Sequence, residues 1–119
     1  MLPLLLCVIA LAAPAQAGKA QAPPVIAPEA AATYVGREVI VQGTVTQIVL
    51  SVNLTTHINF GGVYPNHVFT VSVFKANQPL FADVRDYEGK RVEVQGVVRL
   101  YRKKPEIVLT ERGQIRLAE

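Results

Sequence analysis

Four cations crowd one tyrosine near the end of the chain: Arg99, Arg102, Lys103 and Lys104 flank Tyr101. Cations interleaved with an aromatic ring suit single-stranded nucleic acid, because the charges follow the phosphates while the ring stacks on a base. The same residues would serve as a solvated hairpin tip, where lysine discourages sheets from pairing edge to edge. A second group lies mid-chain: His57, Asn59 and Phe60, with Tyr64 and His67 around the next loop. Tyr64 and His57 are candidate stacking groups and Asn59 a candidate reader of a base edge. Asn59 could instead bond to the backbone of the Gly61-Gly62 turn beside it. Phe60 and Phe69 are expected in the core, since aromatics on alternating strands are usually buried. The outward residues Gln42, Thr44 and Thr46 of the first long strand would complete the face.

Other chemistry is poorly supplied. His57 and His67 are the only histidines, and no cysteine or third nitrogen ligand is spaced to join them on a metal. Ser51 and Ser72 lack the context of a strained nucleophile turn, and Asp83, Asp86 and Glu88 crowd one helix end. Glu93 and Glu106 could meet across paired strands, but balancing neighbouring Arg or Lys is the commoner use of such residues. Gly61-Gly62 is not followed by the Lys-Ser/Thr of a phosphate loop. The expectation is a binding protein, with no enzymatic activity, metal or cofactor.

These side chains must be positioned by strands, and the chain states its main strand twice. Tyr34 to Ile48 reads YVGREVIVQGTVTQI, and fifty-three positions later Tyr87 to Tyr101 reads YEGKRVEVQGVVRLY. Valine at every second position gives a pleated strand one apolar face. The glycine inside each copy, Gly43 or Gly96, permits a bulge or bend. A strand that bends mid-course suits a small barrel. Two copies are too few for a solenoid.

In chain order, Pro28 to Ala32 predicts one or two helical turns stopped by Gly36. The first strand, Arg37 to about Val49, follows. His57–Phe60 and Val68–Phe74 predict the second and third strands, with Thr70 and Ser72 on the face opposite Phe69, Val71 and Val73. Asn77-Gln78-Pro79 opens a helix, with Asn77 as its cap, running to about Tyr87 and stopping at Gly89. Arg91 to about Tyr101 is the fourth strand, Glu106–Thr110 the fifth, and Gln114–Leu117 a short edge segment. Tyr34 and Tyr87 are expected to plug the ends. Five strands with a helix between the third and fourth is the order of an all-β, five-stranded OB-fold Greek-key barrel with a short N-terminal helix.

The 119 residues suffice for one domain. Met1 to Ala17 is uncharged, carries an apolar run from Leu2 to Ala13 and ends in Ala15-Gln16-Ala17, a small-x-small cleavage pattern. This predicts a signal peptide over 1–17, cut after Ala17 or near Ala20 or Ala22, a flexible tether over 18–27 and the OB-fold domain over 28–119. The product would be periplasmic or secreted, with no membrane insertion after cleavage. The one cysteine, Cys7, falls in the leader, so the mature chain would lack thiols and rely on a packed core. The formal charge of +3 is a mild bias towards anionic partners.

The chain also resembles the small exported bacterial OB-fold proteins described as nucleic-acid-binding, related to the anticodon-binding type of OB domain. The resemblance covers about Pro28 to Leu117. It rests on Tyr34-x-Gly36, Asn59-Phe60-Gly61-Gly62 with Tyr64-Pro65, Phe69-Thr70, and Tyr101-x-x-Lys104-Pro105-Glu106-Ile107. Lys103 stands where that pattern has glycine, which makes the turn more basic. The resemblance implies an OB fold and a single-stranded DNA or RNA partner. Residue reading and resemblance together give a nucleic-acid-binding set of Arg99, Tyr101, Arg102, Lys103, Lys104, Tyr64, His57, Asn59 and Thr44. The alternatives are an envelope adaptor that takes a peptide, glycan or small ligand on the same face, and an accessory subunit of a larger complex.

Overall fold

The computed structural model describes residues 22–118, so the expected leader and residues 18–21 of the expected tether lie outside the described residues. The two repeat copies form the central strands, β2 (Glu38–Leu50) and β5 (Arg91–Val97). They pair antiparallel with Val41 opposite Val94, its own counterpart in the repeat. The pairing is therefore symmetric about that point: Val39 faces Gly96, and Val92 faces Gly43. The flanking turns obey the same symmetry. Gly36 N–H donates to Val98 O at 2.7 Å and Val98 N–H to Arg37 O at 3.1 Å. In the other copy Gly89 N–H donates to Val45 O and Val45 N–H to Lys90 O, both at 2.9 Å. Each Tyr-x-Gly turn thus clamps a valine of the opposite copy. The turn glycines adopt left-handed φ values of 88° and 83°, open to glycine at little cost.

One strand expectation is overturned. The predicted fourth strand, Arg91 to Tyr101, divides at Val98 into β5 and β6 (Arg99–Tyr101), whereas β2 runs on through the equally clamped Val45, which also pairs with Phe60. The other strands are β1 (Val25–Ile26), β3 (Thr56–Phe60), β4 (Phe69–Val73), β7 (Lys104–Val108) and β8 (Ile115–Leu117). Their hydrogen-bonded order is β6-β7-β4-β3-β2-β5-β8, with β1 parallel to β2 and β7 parallel to β4. The expected closed five-stranded barrel is thus corrected to eight strands in a sheet that is not closed. β5 and β6 are consecutive in the chain yet pair with different neighbours, β2 and β8 against β7. Val25–Ile26, expected in the tether, instead pairs with Ile40–Val41 and buries Ile26.

β2 joins two parts of the sheet, as its bend implied. Up to Thr44 it pairs with β5 and from Val45 with β3, with a register shift between Val45 and Gln47. The irregularity falls just past Gly43. What Gly43 provides is space: a Cβ there would lie 2.6 Å from Cγ of Pro28 and 3.0 Å from its Cδ. Gly96 likewise admits Ile107, whose Cγ2 would meet an added Cβ at 2.6 Å. Gly43→Ala and Gly96→Ala are each expected to destabilise by about 1–3 kcal/mol through overpacking, although strand propensity alone favours alanine. Urea denaturation measures this, and an unchanged midpoint would mean that the ring of Pro28 or the side chain of Ile107 yields freely.

The helical expectations also need correction. Asn77 to Tyr87 is not an α-helix but two 3-10 segments, Lys75–Phe81 and Val84–Tyr87. Pro79 removes a donor and disfavours the α conformation at Gln78, whose side chain is drawn away to Leu54 O at 2.7 Å. Asn77 does not cap; Phe74 occupies that position without a side-chain bond. Pro28–Tyr34 is also 3-10, with Pro28 at its start. Phe81, Val84 and Tyr87 still reach the core, where they join Val39, Val41, Val45, Val92, Val94 and Val98 from the repeats and Phe60 and Phe69. Tyr34 packs against this cluster from its edge. All of β4 is buried, including Thr70 and Ser72, so its polar face does not meet solvent.

Candidate nucleic-acid interface

One groove of about 550 Å³ gathers most of the expected residues. Its floor is His57 and Asn59 of β3 with Thr70 of β4. Its walls are Val49 and Ser51 to Asn53 on one side, Tyr64, Pro65 and His67 on another, and Tyr101, Arg102 and Lys104 on a third. In OB folds the face of the second and third strands and the loops after the first and fourth strands form the usual binding surface, and the groove occupies that position. A second depression of about 500 Å³, between β5 and the Arg112–Gln114 turn, is lined by Glu38, Glu111, glutamines and glycines, with neither ring nor cation.

Tyr64 is 69% exposed and Tyr101 43% exposed, high values for rings of that size. Tyr64 is set by its backbone: Gln47 Oε1 accepts from Tyr64 N–H and from Asn59 Nδ2, both at 2.8 Å. Its ring stacks on His67 at 5.9 Å and 25°. Tyr101 carries the Arg102 guanidinium 5.2 Å from its ring centroid. The turn that follows holds Arg102 at φ 51° and Lys103 at φ 71°, the two left-handed residues of a two-residue hairpin. Lysine at a position suited to glycine costs on the order of 1 kcal/mol, a strain that keeps a charge at the tip. Lys103 sits on that tip without lining the groove, and Lys104 turns inwards to donate to His67 O at 2.5 Å.

Three expected residues have other tasks. Arg99 donates from Nε to Glu106 Oε1 at 2.7 Å, and Glu106 is buried with its other oxygen accepting from Ser72 Oγ. Asn59 is on the floor but committed: it accepts from Thr70 Oγ1 at 2.7 Å and donates to Gln47, so it braces the loop instead of offering its amide to a base. Thr44 is exposed opposite Arg91, in the half of β2 paired with β5, away from the groove. Gln42 bonds Glu93 and Arg91, and Thr46 bonds Asn59 O and Gly62 O. Glu93 and Glu106 do not meet; each pairs with an arginine, Arg116 and Arg99.

Both histidines of that second group line this groove. Burial lowers the His57 pKa below the usual histidine value, and Glu106 opposes that effect. Burial also lowers that of His67, aided by Lys104 and His57. Both imidazoles therefore favour the neutral form. His67 lines the groove with the group it was placed in, whereas Thr70 in the floor and Gln47, which braces the Tyr64 loop from outside the lining, were missed. The signal for Gln47 was a polar residue interrupting the apolar end of the first strand, and that for Thr70 was its place on the polar face of the third strand and in the Phe69-Thr70 pair.

No protein-family model matches the chain, and no curated protein matches it. Among solved structures it is similar to OBody AM1L10 bound to hen egg-white lysozyme, at 19% identity over 72% of this chain and 83% of that one, with a TM-score of 0.52. It is also similar to Entamoeba histolytica asparaginyl-tRNA synthetase, at 14% identity over 82% of this chain and 24% of that one, TM-score 0.54. A third is asparaginyl-tRNA synthetase from Pyrococcus horikoshii complexed with asparaginyl-adenylate, at 14% identity over 73% of this chain and 20% of that one, TM-score 0.51. The chain therefore spans about a quarter or less of each synthetase chain. Likeness at these identities is likeness of fold, and the fold is OB-like, mostly β-sheet with few helical turns.

Proposed function

We propose that the chain is an exported OB-type binding module, not an enzyme, whose groove holds single-stranded nucleic acid weakly and with little sequence preference. The observation that carries this reading is the pair of exposed tyrosines, Tyr64 and Tyr101, lining one groove with Arg102 and Lys104, beside Lys103 at the turn. Bases stack on such rings whatever their identity, and the cations follow the backbone. The OB-like fold shared with two asparaginyl-tRNA synthetases supports the reading. Export through Met1 to Ala17 is part of the proposal.

The test is fluorescence anisotropy with a labelled single-stranded oligonucleotide across a salt series. Three phosphate contacts predict a slope of log K against log salt of about −2, and Lys103→Gly should reduce that slope by about 0.7. The same substitution should raise stability by roughly 1 kcal/mol, since glycine relieves the left-handed backbone. Absence of binding at low ionic strength sinks the proposal.

A second reading has its own support. The OBody similar to this chain is bound to a protein, lysozyme, and the groove's loops expose Val52 and Val63 beside Tyr64. An exported chain also meets little free nucleic acid. A peptide or protein of the envelope, or a larger complex, would then occupy the same face, and capture from envelope extract that depends on Tyr64 and Tyr101 would favour it.

A further inference from the structure

The buried polar chain behind the groove fixes which hydrogen-bonding partner His57 can offer. Ser72 is fully buried and has one hydroxyl proton. It donates that proton to Glu106 Oε2, because a carboxylate accepts only. Arg99 holds the other carboxylate oxygen. Ser72 Oγ also lies 3.2 Å from His57 Nδ1. With its proton committed to Glu106, the hydroxyl must accept there, so Nδ1 carries the hydrogen of the imidazole. The neutral ring then bears its lone pair on Nε2. Among the described residues Nε2 has no partner, and it is not sealed from solvent; the ring lines the groove.

We infer that His57 Nε2 is a hydrogen-bond acceptor for the bound strand and that its partner is the ribose 2′-hydroxyl, so the groove prefers RNA to DNA. This rests on the reading of the groove as a nucleic-acid site. Rings on the walls and cations at the rim leave the floor to the sugar or the base edge. Asn59, 2% exposed and bonded to Thr70 and Gln47, presents little of its amide to a base. A donor that recurs at every nucleotide therefore fits better than one carried by particular bases, and the 2′-hydroxyl is the group that separates RNA from DNA. A second observation also points to a ligand here. His67, 7% exposed and under Tyr64, has a buried Nδ1 with no hydrogen-bond partner, a polar atom that is costly to leave unpaired.

The test compares a labelled oligouridylate of about ten nucleotides with its deoxyuridine twin, which differs only by the hydroxyl, using anisotropy at neutral pH. The ribo form is expected to bind about five- to tenfold more tightly, the worth of one hydrogen bond. His57→Phe should bring the ratio close to one. So should acidifying the unaltered protein until NMR shows the His57 ring protonated, below the usual histidine range because burial lowers its pKa, since a protonated Nε2 donates and no longer accepts. Glu106 and Arg99 stand behind His57, and His67, Tyr64, Tyr101, Arg102 and Lys104 share the groove with it. The ratio of the two affinities cancels their common effect on charge. The pH arm decides the matter if His57→Phe does not fold. Equal ribo and deoxy affinities that both fall in His57→Phe would replace the hydroxyl by a base N–H and overturn the RNA preference. Equal affinities indifferent to His57→Phe, or a ratio that persists at acid pH, would overturn the acceptor site as well. Failure of both oligonucleotides to bind at low salt is a separate result and overturns the groove reading itself.

Discussion

Replacing Tyr64 and Tyr101 together by alanine is expected to remove most of the affinity for single-stranded nucleic acid while leaving the fold intact. Each stacked base contributes about 1–3 kcal/mol, so losing two rings costs about 2–6 kcal/mol, roughly thirtyfold at the low end and beyond ten-thousandfold at the high end. Stability should change little, because both rings are exposed and neither belongs to the core. The loop keeps its place through the backbone bond from Tyr64 N–H to Gln47, which alanine retains. The single variants apportion the loss, and near-equal contributions are expected if both walls stack bases. Anisotropy beside thermal denaturation checks both halves. An unchanged affinity in the double variant would mean that binding, where present, uses another surface.

Arg99→Ala is expected to act on stability first. Arg99 and Glu106 are opposed in the β6–β7 register, and their ion pair joins a half-exposed arginine to a carboxylate that is almost wholly buried. Removing the arginine leaves that carboxylate with only the Ser72 hydroxyl. A fully buried pair broken in this way costs 3–5 kcal/mol. The exposure of Arg99 brings the expected loss down to about 2–3 kcal/mol, or a fall in Tm on the order of 10–20 °C. Arg99→Ala with Glu106→Gln should be less destabilising than Arg99→Ala alone, since the stranded charge is gone. Lys103→Ala, at the exposed tip, should move stability by no more than about 0.5 kcal/mol. If Arg99→Ala melts like the parent and only weakens nucleic-acid binding, Arg99 belongs to the interface after all.

These two expectations divide residues that the linear sequence presented as one cluster. Arg99, Tyr101, Arg102, Lys103 and Lys104 are neighbours along the chain, and Arg99 and Tyr101 share one strand face. But Arg99 stands two residues further from the turn, opposite Glu106, while a two-residue turn reverses the direction beyond Tyr101. Tyr101 and Arg102 end in the groove, Lys103 on the tip and Arg99 against Glu106.

The sequence by itself determined what depends on short-range pattern. Valine alternation placed both central strands, Tyr-x-Gly placed their entry turns, and the cation–tyrosine turn and the Tyr64 loop marked the two sides of the candidate groove. Only the tertiary structure decided what depends on distant partners. Val98 reads as mid-strand until β5 and β6 on either side of it take different partners. Asn59 reads as a base-reading amide until burial and bonds to Gln47 and Thr70 commit it to the fold. His57 and His67 read as one loosely placed group, and only β3 and the loop before β4 set both against one groove. A hydrogen bond or an ion pair has no periodicity, so nothing in the order of residues announces its other half.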